Sequence, residues 1–152
     1  MAPRPHTARR ITVTGLLAGA LVGGALATTS AGARVGDLVT GYQESAVADA
    51  RINLADLDAR IVAAEVARWR PQAADVVVAD PSRSGLGRPG VGAITATGAP
   101  RLVLVSCDPA SLARDTVLLR AAGYHLVSVA LVDAFPHTFH TETVSRFDRI
   151  TT

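Results

Sequence analysis

A single cysteine, Cys107, ends the short apolar run Leu102-Val103-Leu104-Val105-Ser106 and is followed at once by Asp108-Pro109 and a helical pattern. An apolar run of that length reads as a buried strand, and a proline in the first turn marks a helix start. The thiol is thus expected at a strand tip facing a helix N-terminus, where thiols become nucleophilic and where open α/β sheets keep their ligands. Taken alone, such a cysteine reads equally as a small buried hydrophobe. Two other loops bear on the choice. Asp80-Pro81-Ser82-Arg83-Ser84-Gly85 sets a carboxylate before a proline, then an arginine, then a glycine that lets backbone approach closely; the bland reading is a plain strand-to-helix turn. The stretch from Asp133 to Glu142 holds two histidines and two carboxylates, but their spacing fits no zinc-ligand pattern and Cys107 would have to join them, so no metal is expected. Asp108 reads as a cap for the helix beginning at Pro109 at least as readily as a catalytic carboxylate.

These loops need a scaffold, and the chain supplies one domain's worth. Its 152 residues suffice for a core, 49% of them are hydrophobic and only 4% aromatic, which suits a compact α/β domain packed with small aliphatic side chains. A net charge of +2 is modest, and its arginine character suits phosphate contact without demanding it. One cysteine excludes an intramolecular disulfide and a multi-cysteine zinc site. No basic tail and no internal repeat is present.

Residues 1–10 are polar and broken by proline, and Ile11 to Ala27 runs without a charge. This start reads either as an export signal, with Arg9-Arg10 before the apolar run and Ala31-Gly32-Ala33 as the cleavage site, or as a strand, a glycine turn and a small-residue helix. A membrane anchor is disfavoured, because the run is short and rich in glycine. Beyond it, strands are expected at Leu38–Tyr42, Asp58–Val62, Asp75–Ala79, from Arg101 to the cysteine, at Tyr124–Val132 and at Thr143–Arg149. Helical segments are expected at Ser45–Ala55, Glu65–Arg70, Pro89–Thr97 and Pro109–Ala122, the last stopped by Gly123. This alternation predicts a mostly parallel sheet with helices on both faces.

In their order and separation the three loops resemble those of the RNA uracil-5-methyltransferases, which form 5-methyluridine in transfer and ribosomal RNA. Asp80-Pro81-x-Arg83-x-Gly85 matches that family's Asp-Pro-Pro-Arg-x-Gly loop. Ser106-Cys107-Asp108-Pro109-x-Ser111 matches its Ser-Cys-Asn/Asp-Pro-x-Thr, and Asp133-x-Phe135-Pro136-x-Thr138-x-His140-x-Glu142 its C-terminal motif. Ser82, Ser111 and Thr141 are mild departures. The likeness runs from about Val35 to the end.

The resemblance implies a Rossmann-like class I S-adenosylmethionine-dependent methyltransferase sheet, mostly parallel, with a degenerate or incomplete N-terminal part. It implies a catalytic domain over 35–152, with 1–34 a signal-like segment or an eroded first β–α unit, the latter favoured because an RNA-modifying enzyme works in the cytoplasm. By the same resemblance Cys107 is the nucleophile and Glu142 the base, and S-adenosylmethionine is the cofactor, held by Asp80 and, more faintly, by Gly19 and Glu44. RNA is the partner, contacted by Arg83, by Phe135 or Phe139 as an apolar face, and by His140. No membrane partner is implied, and neither the RNA nor the oligomeric state is specified. The family's N-terminal RNA-binding barrel and linker have no counterpart, so the chain reads as the catalytic portion of a longer enzyme, as a shortened, inactive remnant with weak RNA binding, or as an exported small α/β protein.

Overall fold

The computed structural model describes residues 10–15, 34–39, 44–56, 59–134, 137–138 and 141–151. In chain order they form β1 (Arg10–Gly15), β2 (Arg34–Val39), α1 (Glu44–Asn53), β3 (Arg60–Val62), a single 3-10 turn (Val66–Arg68), β4 (Val76–Asp80), α2 (Gly87–Thr95), β5 (Arg101–Ser106), α3 (Pro109–Ala121), β6 (Tyr124–Val132) and β7 (Glu142–Arg149). The strands make one seven-stranded sheet in the order β3-β2-β1-β4-β5-β7-β6. From β3 to β5 every pairing is parallel, and β7 runs antiparallel between β5 and β6.

The sheet forms where β-branched residues cluster. In β4, Val76-Val77-Val78 carries the branched side chains that favour extended backbone and fill both faces of a parallel sheet. Val77 and Ala79, and Leu102 and Leu104 of β5, are buried, and they meet Val91 and Ile94 of α2, Leu119 of α3 and Phe147 of β7 in one core. Tyr124 is buried with them and its hydroxyl donates to the Ala99 carbonyl at 2.7 Å, so the ring is buried without leaving its polar atom unsatisfied. The helices α2 and α3 therefore cover the sheet face that carries Val77, Ala79, Leu102, Leu104 and Phe147.

Arg10–Gly15, at the start of the apolar N-terminal run, is a strand hydrogen-bonded between β2 and β4, as the second of the two readings of that run expects of its first element. Several other elements differ from the sequence expectation for tertiary reasons. The second strand runs over Arg34–Val39 rather than Leu38–Tyr42, because its bounds follow pairing with β1 and β3. The expected Glu65–Arg70 helical turn shrinks to three residues. The helix expected from Pro89 starts two residues earlier, at Gly87, where a carboxylate from α3 accepts from its first backbone N–H groups. The last strand pairs with β6, which precedes it in sequence, and inserts between β6 and the more distant β5.

Candidate active site

Open α/β sheets bind ligands beyond the carboxyl ends of their strands, where the strand order reverses. Here the reversal lies at β1, which pairs with β2 on one side and β4 on the other, and the last pair in register is Gly15 with Asp80. Asp80 is the final residue of β4 and the first of the Asp-Pro loop. One strand further on, β5 ends at Ser106 and Cys107 follows, partly exposed. Because β7 is antiparallel, its first residue, Glu142, arrives at this same edge.

Register decides the faces. Leu102 pairs with Phe147, Leu104 with Ser145 and Ser106 with Thr143, all on the face covered by α2 and α3. Val103 pairs with Arg146 and Val105 with Val144 on the other face, and the next step of that alternation sets Glu142 against the position of Cys107. Asp80 follows the same parity in β4, since Val78 pairs with Val103. Asp80, Cys107 and Glu142 thus register to one face at one edge. Electrostatics agrees with this placement: burial pushes the Asp80 carboxyl above its ordinary range, and the charge of Glu142 pushes it further.

Local chemistry holds the thiol's surroundings. Asp108 accepts from Ser111 N at 2.7 Å, and the Ser111 hydroxyl donates back to the Asp108 carbonyl at 2.9 Å, so α3 is capped at the residue after the cysteine. The Thr143 hydroxyl donates to the Ser106 carbonyl at 3.0 Å, tying β7 to the last residue before Cys107. Beside Asp80 lies a cavity of about 370 Å³ between Glu65, Val66 and Ala67 after β3 and Pro81, Leu86 and Pro89 after β4. Its walls are mostly apolar, with carboxylates at Glu65 and Asp80.

The tRNA (uracil-5-)-methyltransferase family profile matches residues 69–149, more than half of the chain. The chain belongs to this family. Among its methyltransferase relatives, an uncharacterized RNA methyltransferase of Streptomyces coelicolor is 39% identical over 140 residues, covering 86% of this chain and 28% of the relative. The 23S rRNA (uracil(1939)-C(5))-methyltransferase of Vibrio parahaemolyticus is 41% identical over 81 residues, covering 53% of this chain and 18% of that one. Among solved structures, the Pyrococcus abyssi tRNA (uracil-54, C5)-methyltransferase in complex with S-adenosyl-L-homocysteine superposes with a TM-score of 0.66 at 30% identity, covering 76% of this chain and 29% of its own. The chain spans less than a third of the length of each of these relatives. Its fold is the Rossmann-like class I methyltransferase fold.

Within this methyltransferase domain, Arg83 lies exposed in the loop after β4. Glu44 is the first residue of α1, the helix after β2. Gly19, Phe135 and His140 lie outside the described residues. Sequence reading passed over three contributors: Glu65 at the cavity, Thr143 behind the thiol, and Asp115, a buried carboxylate on α3 whose oxygens accept from the Leu86 and Gly87 amides. Glu65 and Thr143 carry no local signal of their role. Asp115 carries one: a charged residue on the same helical face as the apolar Leu119, four positions on, belongs to the buried side.

Proposed function

We propose that this chain is the catalytic portion of an S-adenosylmethionine-dependent RNA uracil-5-methyltransferase, with Cys107 as nucleophile and Glu142 as general base. The observation that carries the reading is the β5–β7 register, whose last pair is Ser106 with Thr143, with Cys107 and Glu142 the next residues along their chains. Carbon 5 of uracil is a poor nucleophile, and a covalent detour divides one hard step into easier ones. The Cys107 thiolate adds to carbon 6, and the electron pair released at carbon 5 forms a bond to an electrophilic methyl carbon. S-adenosylmethionine would supply that methyl, its sulfonium sulfur–methyl bond breaking with the electron pair left on sulfur, so that S-adenosylhomocysteine is the leaving group. Glu142 then takes the carbon 5 proton, the carbon 5–carbon 6 double bond re-forms, and the thiolate leaves.

The cavity beside Asp80 suits the adenosyl part of the cofactor: it has apolar walls for a flat ring, the acidic residues Glu65 and Asp80 in its lining, and reaches the end of β4, the strand paired with β1 at the reversal. Asp80 would hold the cofactor's polar end, with Glu44 and Gly19 completing the site. The substrate is a uridine of transfer or ribosomal RNA, flipped out to reach the thiol, with Arg83, Phe135 and His140 on the RNA side. The segment before β2 belongs to the domain in this reading, since cleavage after residue 33 would remove β1 from between β2 and β4. The protein then works in the cytoplasm. Among the described residues no helix is long and apolar enough to cross a membrane.

The test uses RNA containing 5-fluorouridine together with S-adenosylmethionine. Fluorine replaces the proton that Glu142 must remove, so the wild-type chain is expected to leave a denaturant-resistant protein–RNA adduct that Cys107→Ala abolishes. An adduct that survives in Cys107→Ala, or none with the intact chain, rejects the mechanism.

A further inference from the structure

The loop that follows Asp80 has a local turn, in which Gly85 N donates to the Ser82 carbonyl at 2.8 Å, but nothing local secures its far end. The helix it enters, Gly87–Thr95, contains three glycines and a proline, and Leu86 at its N-cap supplies no side-chain cap. The missing acceptor comes from 28 and 29 residues away: Asp115 of α3 accepts from Leu86 N through Oδ2 at 2.6 Å and from Gly87 N through Oδ1 at 3.0 Å. Asp115 is 1% exposed, and its neighbour Arg114 lies 3.5 Å from Oδ1 while donating through its guanidinium to the Ser84 carbonyl. Between these two anchor points sits Gly85, with φ +71, where a Cβ would collide with the Asp115 carboxylate and the Arg114 guanidinium. A buried carboxylate is tolerated only with such partners.

The same residues have a second side. Ser84, Gly85 and Leu86 line the cavity beside Asp80. Asp115 lies on the helix that begins two residues after Cys107. One carboxylate therefore joins the cavity wall to the helix that follows the thiol.

We infer that Asp115 is a positioning residue: by clamping the 84–87 loop to α3, it sets where the cofactor cavity lies relative to Cys107. The inference rests on the function proposed above, in which that cavity takes the adenosyl group. Displacements of about 1 Å at such a junction can cost about 100-fold in rate, so a rigid strap has a function there beyond stability.

The experiment measures two quantities on the full chain. These are the affinity for S-adenosylhomocysteine by calorimetric titration, and hydrogen exchange at the Leu86 and Gly87 amides. Asp115→Asn keeps the volume but turns one acceptor into a donor facing a backbone N–H. It is expected to speed exchange at both amides and to weaken binding at least tenfold. Asp108→Ala, which uncaps the same helix and removes no hydrogen bond to the loop, is expected to lower stability and leave the affinity within twofold. If Asp115→Asn keeps both amides protected, or loses protection with wild-type affinity, the inference is overturned. Equal weakening in Asp108→Ala overturns it too, because a general loss of stability would then account for the effect. Should Asp115→Asn fail to fold, Gly85→Ala is read in its place; a tenfold weakening supports the strap and wild-type affinity overturns it. Absence of binding in the wild-type chain is a separate result that sinks the cofactor reading of the cavity, and with it the function proposed above, before any variant is compared.

Discussion

The two edges of this sheet treat their carboxylates in opposite ways. At the amino edge of the parallel strands, Asp148 of β7 lies opposite Arg101 of β5, which donates to it at 3.2 Å, and Arg146 donates to it as well. These partners, Arg146 foremost, hold the Asp148 carboxyl down to about 2. At the carboxyl edge, Asp80 is raised by burial and by the neighbouring charge of Glu142. One edge neutralises its charge; the other brings like charges together and withdraws one of them from water. Repulsion and desolvation cost stability, and such an arrangement is characteristic of sites that do chemistry.

The contrast is tested most severely at Glu142. Glu142→Gln is expected to lower methyl transfer to RNA by about 100-fold or more, the range for loss of a positioned general base, without lowering the melting temperature. Asp148→Asn, at the opposite edge, is expected to leave transfer near wild type. Equal losses in the two variants would erase the division of labour.

A smaller effect is expected at the carboxylate of the active edge whose duty is structural. Asp108→Ala removes the bond to Ser111 N and should cost about 1 kcal/mol in denaturant unfolding, the usual price of an N-cap. No change would mean that Asp108 does not serve as the cap.

The pH dependence sharpens the comparison further. The native pKa of Asp80 lies above its unfolded value, so its ionisation destabilises the fold above that raised pKa, and the penalty fades as pH falls through it. Asp80→Asn should therefore be more stable than wild type at neutral pH, with the advantage vanishing on acidification. Asp148 has the reverse sign. Its native pKa is depressed, so its contribution is complete above about pH 4 and is lost as pH falls toward 2. The deficit of Asp148→Asn should be small, because the cluster is solvent-screened, and should close over that acidic window. Thermal melts from neutral pH to pH 2 follow both.

Much of this was legible in the chain. Val76 to Ala79 and Leu102 to Ser106 are apolar runs too short for helices and end in turn formers, so strands and the loops after them follow from residue type alone. Asp108-Pro109 announces a helix start, and the bond from Ser111 N to Asp108 shows the cap in place. A cap spans three residues and needs nothing distant, which is why it can be read locally.

Pairing is different in kind. No residue of β7 states that it will insert between β5 and β6, yet that insertion pairs Thr143 with Ser106, the neighbours of Glu142 and Cys107, which are 35 positions apart in sequence. Nor does the Gly-Pro-rich start of α2 announce that its acceptor will be Asp115. Strands, turn chemistry and the types of reactive group follow from residue order alone, because backbone preference and hydrophobic period act over a few residues. Which strands became neighbours, which groups share a face and which buried carboxylate secures the cavity wall were settled on folding, because hydrogen-bond partners in a sheet and burial in a core are chosen between segments that are remote along the chain.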